Sequence, residues 1–163
     1  MRYVAAAALL VLASCAEDPA LSSLKGAPLL FEATGKATNT YSCINSQWAL
    51  RERGQEVLTD GTGNRIGSAV NDIYTTKWQG DDGSVATGQL AARESSGSPD
   101  EPPALVYSVN RGQGTGRFAP VATVRRGKPR GAGLSGRDCR EGGGERKVEF
   151  SVTYLFYGAS ASR

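Results

Sequence analysis

The sequence predicts an all-β domain, built as an antiparallel sandwich or a flattened barrel of about eight to ten short strands. Near the C-terminus, apolar side chains occupy every second position, which places them on one face of a strand. These residues are Val148, Phe150, Val152, Tyr154 and Phe156. Glycine supplies 21 of the 163 residues, about twice the usual share, and this indicates many tight turns. No segment after residue 14 has the apolar period of a helix.

The first predicted strands follow Pro28, where a small polar segment gives way to alternating residues. Asn39–Ile44 alternates between apolar and polar side chains, and Gln47–Leu58 is rich in residues that favour strands. Asp60–Asn64 has the Asp, Gly and Asn composition of a turn, and the short run Ile66–Val70 follows it. The sequence therefore predicts three strands before residue 71.

The middle of the chain predicts a hairpin and then a loop. Ile73–Trp78 leads into Gly80–Ser84, whose Gly-Asp-Asp-Gly-Ser composition is typical of a tight turn, and Val85–Ala92 returns from it. Ser95–Pro103 is rich in Ser, Gly and Pro and is predicted to be a mobile loop.

The last strands surround a second glycine-rich turn. Leu105–Val109 and Phe118–Val124 are predicted strands on either side of Gly112–Gly116. The alternating run Val148–Phe156 described above closes the domain. A dinucleotide site at the glycine-rich turn is not expected, because a strand follows it rather than a phosphate-binding helix.

The N-terminal residues have the features of a secretory signal peptide. Arg2 precedes an apolar run of ten residues, Val4–Ala13, which is too short to cross a bilayer as a helix. The sequence Leu12–Cys15 then resembles the lipobox of bacterial lipoproteins, in which the cysteine sulfur receives diacylglycerol and cleavage leaves that cysteine first. The alternative is an ordinary secreted protein in which Cys15 is incidental.

The lipobox resemblance implies a domain organisation and a location. Residues 1–14 would be the lipoprotein signal peptide, 15–27 a lipidated tether, 28–158 a single β domain and 159–163 a short tail. Two or more acyl chains, such as palmitate, hold a protein firmly to a membrane. Ala16 would be the second mature residue, which by similarity to enterobacterial sorting favours the outer membrane, with the domain in the periplasm.

The cysteine count fits an oxidising compartment. Lipidation of Cys15 leaves Cys43 and Cys139, and the sequence predicts a disulfide between them. Closing so long a loop stabilises a domain by about 4–5 kcal/mol in the chain-entropy model. The alternative, a reactive or metal-binding pair, is weak because the chain has no histidine.

Several motifs in order resemble the secreted bacterial and fungal family catalogued as domain of unknown function 3455. The matching segments are Tyr41–Cys43, Trp78–Ser84, Gly112–Phe118, Cys139 and Val148–Tyr157. The resemblance covers about residues 28–158. It implies a secreted β domain and no established activity.

The composition excludes several catalytic chemistries. With no histidine in 163 residues, Ser-His-Asp and Cys-His nucleophiles and His-based zinc sites are excluded, and no metal site or cofactor is predicted. Ser22–Lys25 matches the S-x-x-K pattern but lies in the predicted tether. Asp60–Asn64 starts like a calcium loop but lacks the later ligands, and the adjacent Asp81 and Asp82 are typical of a solvated turn. An enzyme is therefore the less favoured interpretation.

One basic stretch remains as a candidate binding surface. Between Arg111 and Lys147 there are ten Lys or Arg residues against three acidic ones. This composition indicates either a solvated loop pair or a contact with anionic lipid or glycan, and nucleic acid is not expected in the envelope. The predicted contact residues are Arg125, Arg126, Lys128 and Arg130.

The sequence thus favours an envelope lipoprotein with a non-catalytic binding or structural β domain, whose protein partners are unknown. Two alternatives stay open. One is a carrier of small ligands, which needs a closed barrel with a cavity. The other is a glycan-processing enzyme using carboxylates, with Glu52, Asp81 or Glu149 as speculative groups.

Overall fold

The computed structural model describes residues 24–94, 102–110, 112–131, 133–140 and 142–160, in which there are nine β-strands and no helix. The predicted all-β class is confirmed. Accordingly, no helix in these ranges is long and apolar enough to cross a membrane. The strands are β1 (Leu29–Ile44), β2 (Gln47–Glu52), β3 (Glu56–Thr59), β4 (Arg65–Asn71), β5 (Thr75–Gly80), β6 (Val85–Glu94), β7 (Ala104–Val109), β8 (Thr123–Arg126) and β9 (Glu145–Tyr157).

Eight of the strands form a closed antiparallel barrel, and β2 is an extra strand. The order β1-β3-β4-β5-β6-β7-β8-β9 closes because β9 pairs again with β1. This closing ladder is long and runs from Leu29 opposite Tyr157 to Ser42 opposite Glu145. Such closure leaves the barrel without free sheet edges.

The single strand predicted at Gln47–Leu58 is two strands, β2 and β3, separated by residues 53–55. Both lie beside β1, so β1 and β2 form a hairpin that extends past the end of the barrel. The interruption depends on Gly54, since a Cβ at this position would overlap the carbonyl oxygen of Thr38. The Gly54 N–H donates to Asn39 Oδ1 at 3.2 Å instead of to a strand partner.

Large and small side chains alternate to fill the interior. Trp78 is fully buried at the centre, and the residues opposite it on the neighbouring strands are Ala69 and Ala86. A Cβ added to Gly88 would lie 2.8 Å from the Trp78 ring, so this glycine leaves the space that the indole fills. The indole makes edge-to-face contacts with Tyr107, Tyr154 and Phe156. The middle of the barrel is therefore packed, as in small barrels generally.

The two ends of the barrel differ. We call one end the base, where the β3–β4 and β5–β6 turns and the β7–β8 connection meet. We call the other end the mouth, where the β1–β2 hairpin, residues 53–55, the β4–β5 turn and the β8–β9 connection meet. Fully buried Phe118 plugs the base and packs edge-to-face on Phe31 and Phe156.

The strand predicted at Phe118–Val124 is largely a turn. Its first residues turn back, with the Val121 N–H donating to the Phe118 carbonyl at 3.3 Å, and β8 begins only at Thr123. The Phe118 N–H donates to Ser84 Oγ at 3.0 Å rather than to a strand. The apolar residues of this segment fill the base of the barrel instead of forming a strand. The spacing of apolar residues along the sequence does not distinguish these two roles.

Candidate functional site

A cluster of buried polar side chains lies inside the mouth. Glu56 is fully buried, and its Oε1 accepts from Asn71 Nδ2 at 2.6 Å and from Arg126 Nη2 at 3.4 Å. Glu56 is the first residue of β3, whereas Asn71 and Arg126 are the last residues of β4 and β8. Because adjacent antiparallel strands begin and end at the same barrel end, these residues meet although they are far apart in sequence.

Two further residues complete the hydrogen-bond network. Tyr154 Oη accepts from Arg126 Nε at 3.2 Å and donates to Asn71 Oδ1 at 3.3 Å. Thr76 Oγ1 donates to the same Asn71 oxygen at 2.9 Å. Five side chains on five strands are thereby joined, and Asn71 is the residue that links them.

Burial governs the electrostatics of this cluster. Burial raises the pKa of Glu56 above its ordinary value, against the opposing charge of Arg126. Burial lowers the pKa of Arg126, but Tyr154 and Glu56 outweigh this effect and the net pKa is raised. Burial, followed by the charge of Glu56, raises the pKa of Tyr154. Arg126 therefore keeps its charge, and Tyr154 stays neutral as a hydrogen-bonding group.

One carboxylate oxygen in the cluster has no partner. Glu56 Oε2 is buried without a hydrogen-bond donor, and in the described ranges the only other buried side-chain nitrogen or oxygen in this state is Trp78 Nε1. Gly35 on β1 makes room for this oxygen, since a Cβ there would overlap Glu56 Oε2. Leaving such a group unpaired costs about 1–3 kcal/mol or more. The cluster is thus not optimised for stability alone.

Two pockets border the cluster and share Arg53, Asn71 and Arg126 in their walls. The first, which we call the hairpin pocket, has a volume of about 250 Å³ and also contains Glu56 in its wall. The second, which we call the arginine pocket, has a volume of about 220 Å³ and also contains Arg93. Apolar side chains complete the hairpin pocket, namely Tyr41, Leu50, Pro129 and Phe150.

The predicted disulfide between Cys43 and Cys139 is confirmed. It joins the β1–β2 hairpin to the β8–β9 connection, and backbone hydrogen bonds reinforce the junction. The Trp48 N–H donates to the Arg137 carbonyl at 2.9 Å, and the Gly136 N–H donates to the Trp48 carbonyl at 3.0 Å. These contacts hold together the two segments that cover the hairpin pocket.

The four predicted contact residues occupy two different settings. Arg126 points into the barrel, whereas Arg125, Lys128 and Arg130 line a shallow groove of about 620 Å³ on the outer wall. Arg125 is already held by Glu94, to which it donates from Nε at 2.8 Å and from Nη2 at 2.6 Å. Contact of these residues with an anionic surface stays a prediction.

The adjacent carboxylates Asp81 and Asp82 lie at the base, away from the cluster. Asp82 accepts from the Ser84 N–H at 2.9 Å, from Ser84 Oγ at 2.5 Å and from the Arg117 N–H at 2.8 Å. These hydrogen bonds, the one from Arg117 foremost, lower the pKa of Asp82 to about 2. Asp82 therefore joins the β5–β6 turn to the β7–β8 connection. Asp81 lies 3.4 Å from Arg65 in an exposed ion pair.

The remaining sequence candidates lie on β2, on β9 and in the β3–β4 turn. Glu52 ends β2 at the mouth, and exposed Glu149 lies on β9. At the base, Asp60 Oδ1 accepts from the N–H groups of Thr62 and Asn64, as in an ordinary turn. Cys15 and the greater part of the predicted loop at residues 95–103 lie outside the described residues.

No protein-family model, curated protein or solved structure matches this chain. Membership of the family of unknown function therefore stays a prediction. The described residues contain no group of three or more His, Cys, Asp or Glu side chains that could hold a metal ion. What the mouth offers chemically is a set of fixed hydrogen-bonding groups beside two small pockets.

Proposed function

We propose that this protein is a non-catalytic binding domain of the bacterial cell envelope that holds a small polar ligand at the barrel mouth. One observation carries the proposal: the buried Glu56–Arg126 pair keeps an unpartnered carboxylate oxygen, and Arg126 lines both pockets while Glu56 lines the hairpin pocket. Small-molecule sites combine apolar walls with a few fixed polar groups, and the mouths of β-barrels are common places for them.

The contrast between the two ends supports a site at the mouth. The base is filled by Phe118 and neighbouring aromatic rings, so apolar packing suffices to close a barrel end. Replacing a buried ion pair by apolar residues of similar volume is often neutral or stabilising. Within the described ranges the buried pair lies at the mouth and not at the base, and recognition of a ligand explains this better than stability does.

The ligand is small, since the pockets measure about 250 Å³ and 220 Å³ and the barrel below them is packed. Two of the carboxylates considered for catalysis, Asp81 and Glu52, do not meet the requirement of glycan hydrolysis. Hydrolysis needs two carboxyl groups in one cleft about 5–10 Å apart. Asp81 lies at the base, whereas Glu52 lies at the mouth.

The envelope location rests on the lipobox-like sequence and is consistent with the disulfide between Cys43 and Cys139. Intact-mass spectrometry of the protein from its own bacterium tests it. We expect diacylglycerol and further acyl chains on Cys15, and their loss in Cys15→Ala. An unmodified chain that keeps Cys15 would contradict the anchor.

Native mass spectrometry tests the binding function. The protein, equilibrated with periplasmic extract from its own bacterium, should carry a small-molecule adduct. Ser135 is exposed and lines the hairpin pocket, so Ser135→Trp should block it and remove the adduct. Ser108→Trp is the matched control, because Ser108 is an exposed strand residue outside both pockets. Absence of an adduct from the unmodified protein, or its persistence in Ser135→Trp, would overturn the proposal.

A further inference from the structure

Among the described residues of its wall, the arginine pocket has an excess of positive charge. Arg53 lies in the segment between β2 and β3, and Arg93 lies near the end of β6; both are exposed and line this pocket together with Arg126. Neither Arg53 nor Arg93 has an acidic partner in the described ranges. Asp72 is the only acidic residue among the described residues of the wall, and its Oδ1 accepts the Ile73 N–H at 2.7 Å.

Toward the described part of the chain, the guanidinium of Arg126 has unused donors. An arginine offers five N–H groups. Arg126 donates Nε to Tyr154 and makes one contact of 3.4 Å from Nη2 to Glu56, and among the described residues Nη1 has no acceptor. The neighbouring Arg125 differs in geometry, since its Nε and Nη2 both donate to one carboxylate, at 2.8 and 2.6 Å. Arg126 can therefore donate from Nη1 to a second oxyanion.

We propose that the arginine pocket binds the oxyanion of the ligand, a carboxylate or a phosphate, through Arg126 with Arg53 and Arg93. This inference rests on the proposed function and names the chemical class of its ligand. An arginine fork matches the two oxygens of a carboxylate or phosphate, and such charge-assisted hydrogen bonds are among the strongest in proteins. The volume of about 220 Å³ suits one anionic group rather than an extended polyanion.

The adjoining hairpin pocket receives the rest of the molecule. Its walls combine Tyr41, Leu50 and Phe150 with the acidic residue Glu56. A ring or short apolar chain fits the apolar wall, and a hydroxyl or amine on it would donate to the carboxylate. The two pockets share Arg53, Asn71 and Arg126, so one molecule can occupy both.

Titration calorimetry with defined probes tests the inference on the mature protein. Phenylacetate and phenyl phosphate supply the two oxyanions, and phenylacetamide is the neutral counterpart of the first. We expect at least one anion to bind, with the amide at least tenfold weaker than phenylacetate if the carboxylate is preferred. Binding of phenyl phosphate alone would identify phosphate as the oxyanion.

Substitutions on the rim locate the site. Arg53→Gln and Arg93→Gln should each weaken anion binding about tenfold, and folding should be unaffected because both side chains are exposed. Arg51→Gln is the matched control, since Arg51 is exposed on β2 and lines neither pocket. Three results would overturn the inference. The first is that neither anion binds, and the second is that phenylacetamide binds as tightly as phenylacetate while phenyl phosphate does not bind. The third is an unchanged affinity for the anion in both rim variants. A neutral native adduct that Ser135→Trp removes would overturn the inference while the proposed function stands.

Discussion

Removing one partner of the Glu56–Arg126 pair should destabilise the fold far more than removing both. Glu56→Leu leaves the Arg126 guanidinium, whose side chain is only 13% exposed, without its carboxylate. Breaking a buried ion pair in this way costs about 3 kcal/mol. Arg126→Met should cost a similar amount at neutral pH, because it leaves the fully buried carboxylate unpaired.

The double variant Glu56→Leu/Arg126→Met should recover most of this loss. It fills the same space with apolar side chains and leaves no buried charge, and replacements of this kind are neutral or stabilising. Asn71 Nδ2 loses its acceptor at Glu56, which costs about 1 kcal/mol. We therefore expect the free energy of unfolding to fall by about 1 kcal/mol in the double variant and by about 3 kcal/mol in each single variant. These values correspond to a coupling energy of about 5 kcal/mol between the two residues.

Urea unfolding followed by tryptophan fluorescence measures these differences. At a slope of about 2 kcal/mol/M, a loss of 3 kcal/mol lowers the midpoint by about 1.5 M. Burial raises the pKa of Glu56 in the folded state above 4.5. The charged carboxylate therefore lowers the free energy of unfolding increasingly as pH rises above 4.5, and it does so most steeply in Arg126→Met. If the two single losses simply add in the double variant, the pair does not act as a unit and the reasoning fails.

Three further predictions concern the scaffold. Replacing Cys43 and Cys139 by Ser removes a cross-link that spans 96 residues and should cost about 4–5 kcal/mol in urea unfolding; a loss below about 1 kcal/mol would contradict this. The folded pKa of Asp82, about 2 against an ordinary 3.8, gives stability that is present above pH 3.8 and lost as pH falls towards 2. Thermal unfolding of Asp82→Asn should therefore show a weaker pH dependence in this range, and equal slopes would refute the assignment. Gly35→Ala should cost about 2 kcal/mol by overlapping the buried carboxylate, whereas Gly61→Ala, with open space around it, should not.

Local patterns predicted most of the strands, but they did not decide between a sandwich and a barrel. The alternation at Val148–Phe156 identifies β9 because its period is read within one segment. The choice between a sandwich and a barrel depends on whether β9 pairs with β1, a contact between the two ends of the domain. No local pattern carries that information. The same limit explains Phe118, whose role as a plug depends on loops that meet only in the folded chain.

The sequence does carry a signal for the polar cluster. Glu56 precedes Leu58 by two positions, and Arg126 follows Val124 by two, so each charged residue lies on the same strand face as a buried apolar one. A charged residue at an inward-facing position of a strand indicates a buried partner of opposite charge. The charge count instead grouped Arg125 with Arg126, although adjacent strand residues point to opposite faces. Which acid each arginine meets depends on long-range register and could not be predicted.

Two carboxylates at opposite ends of the barrel illustrate the reason for proposing recognition at the mouth. Asp82 accepts three hydrogen bonds and its pKa falls to about 2, so the fold satisfies it and it needs no ligand. Glu56 is fully buried, keeps one oxygen without a donor, and its pKa is raised. A buried acceptor left unpaired costs stability, whereas a ligand that donates to it recovers that cost on binding. The same side-chain chemistry is therefore structural where the chain supplies every donor, and available for recognition where it does not.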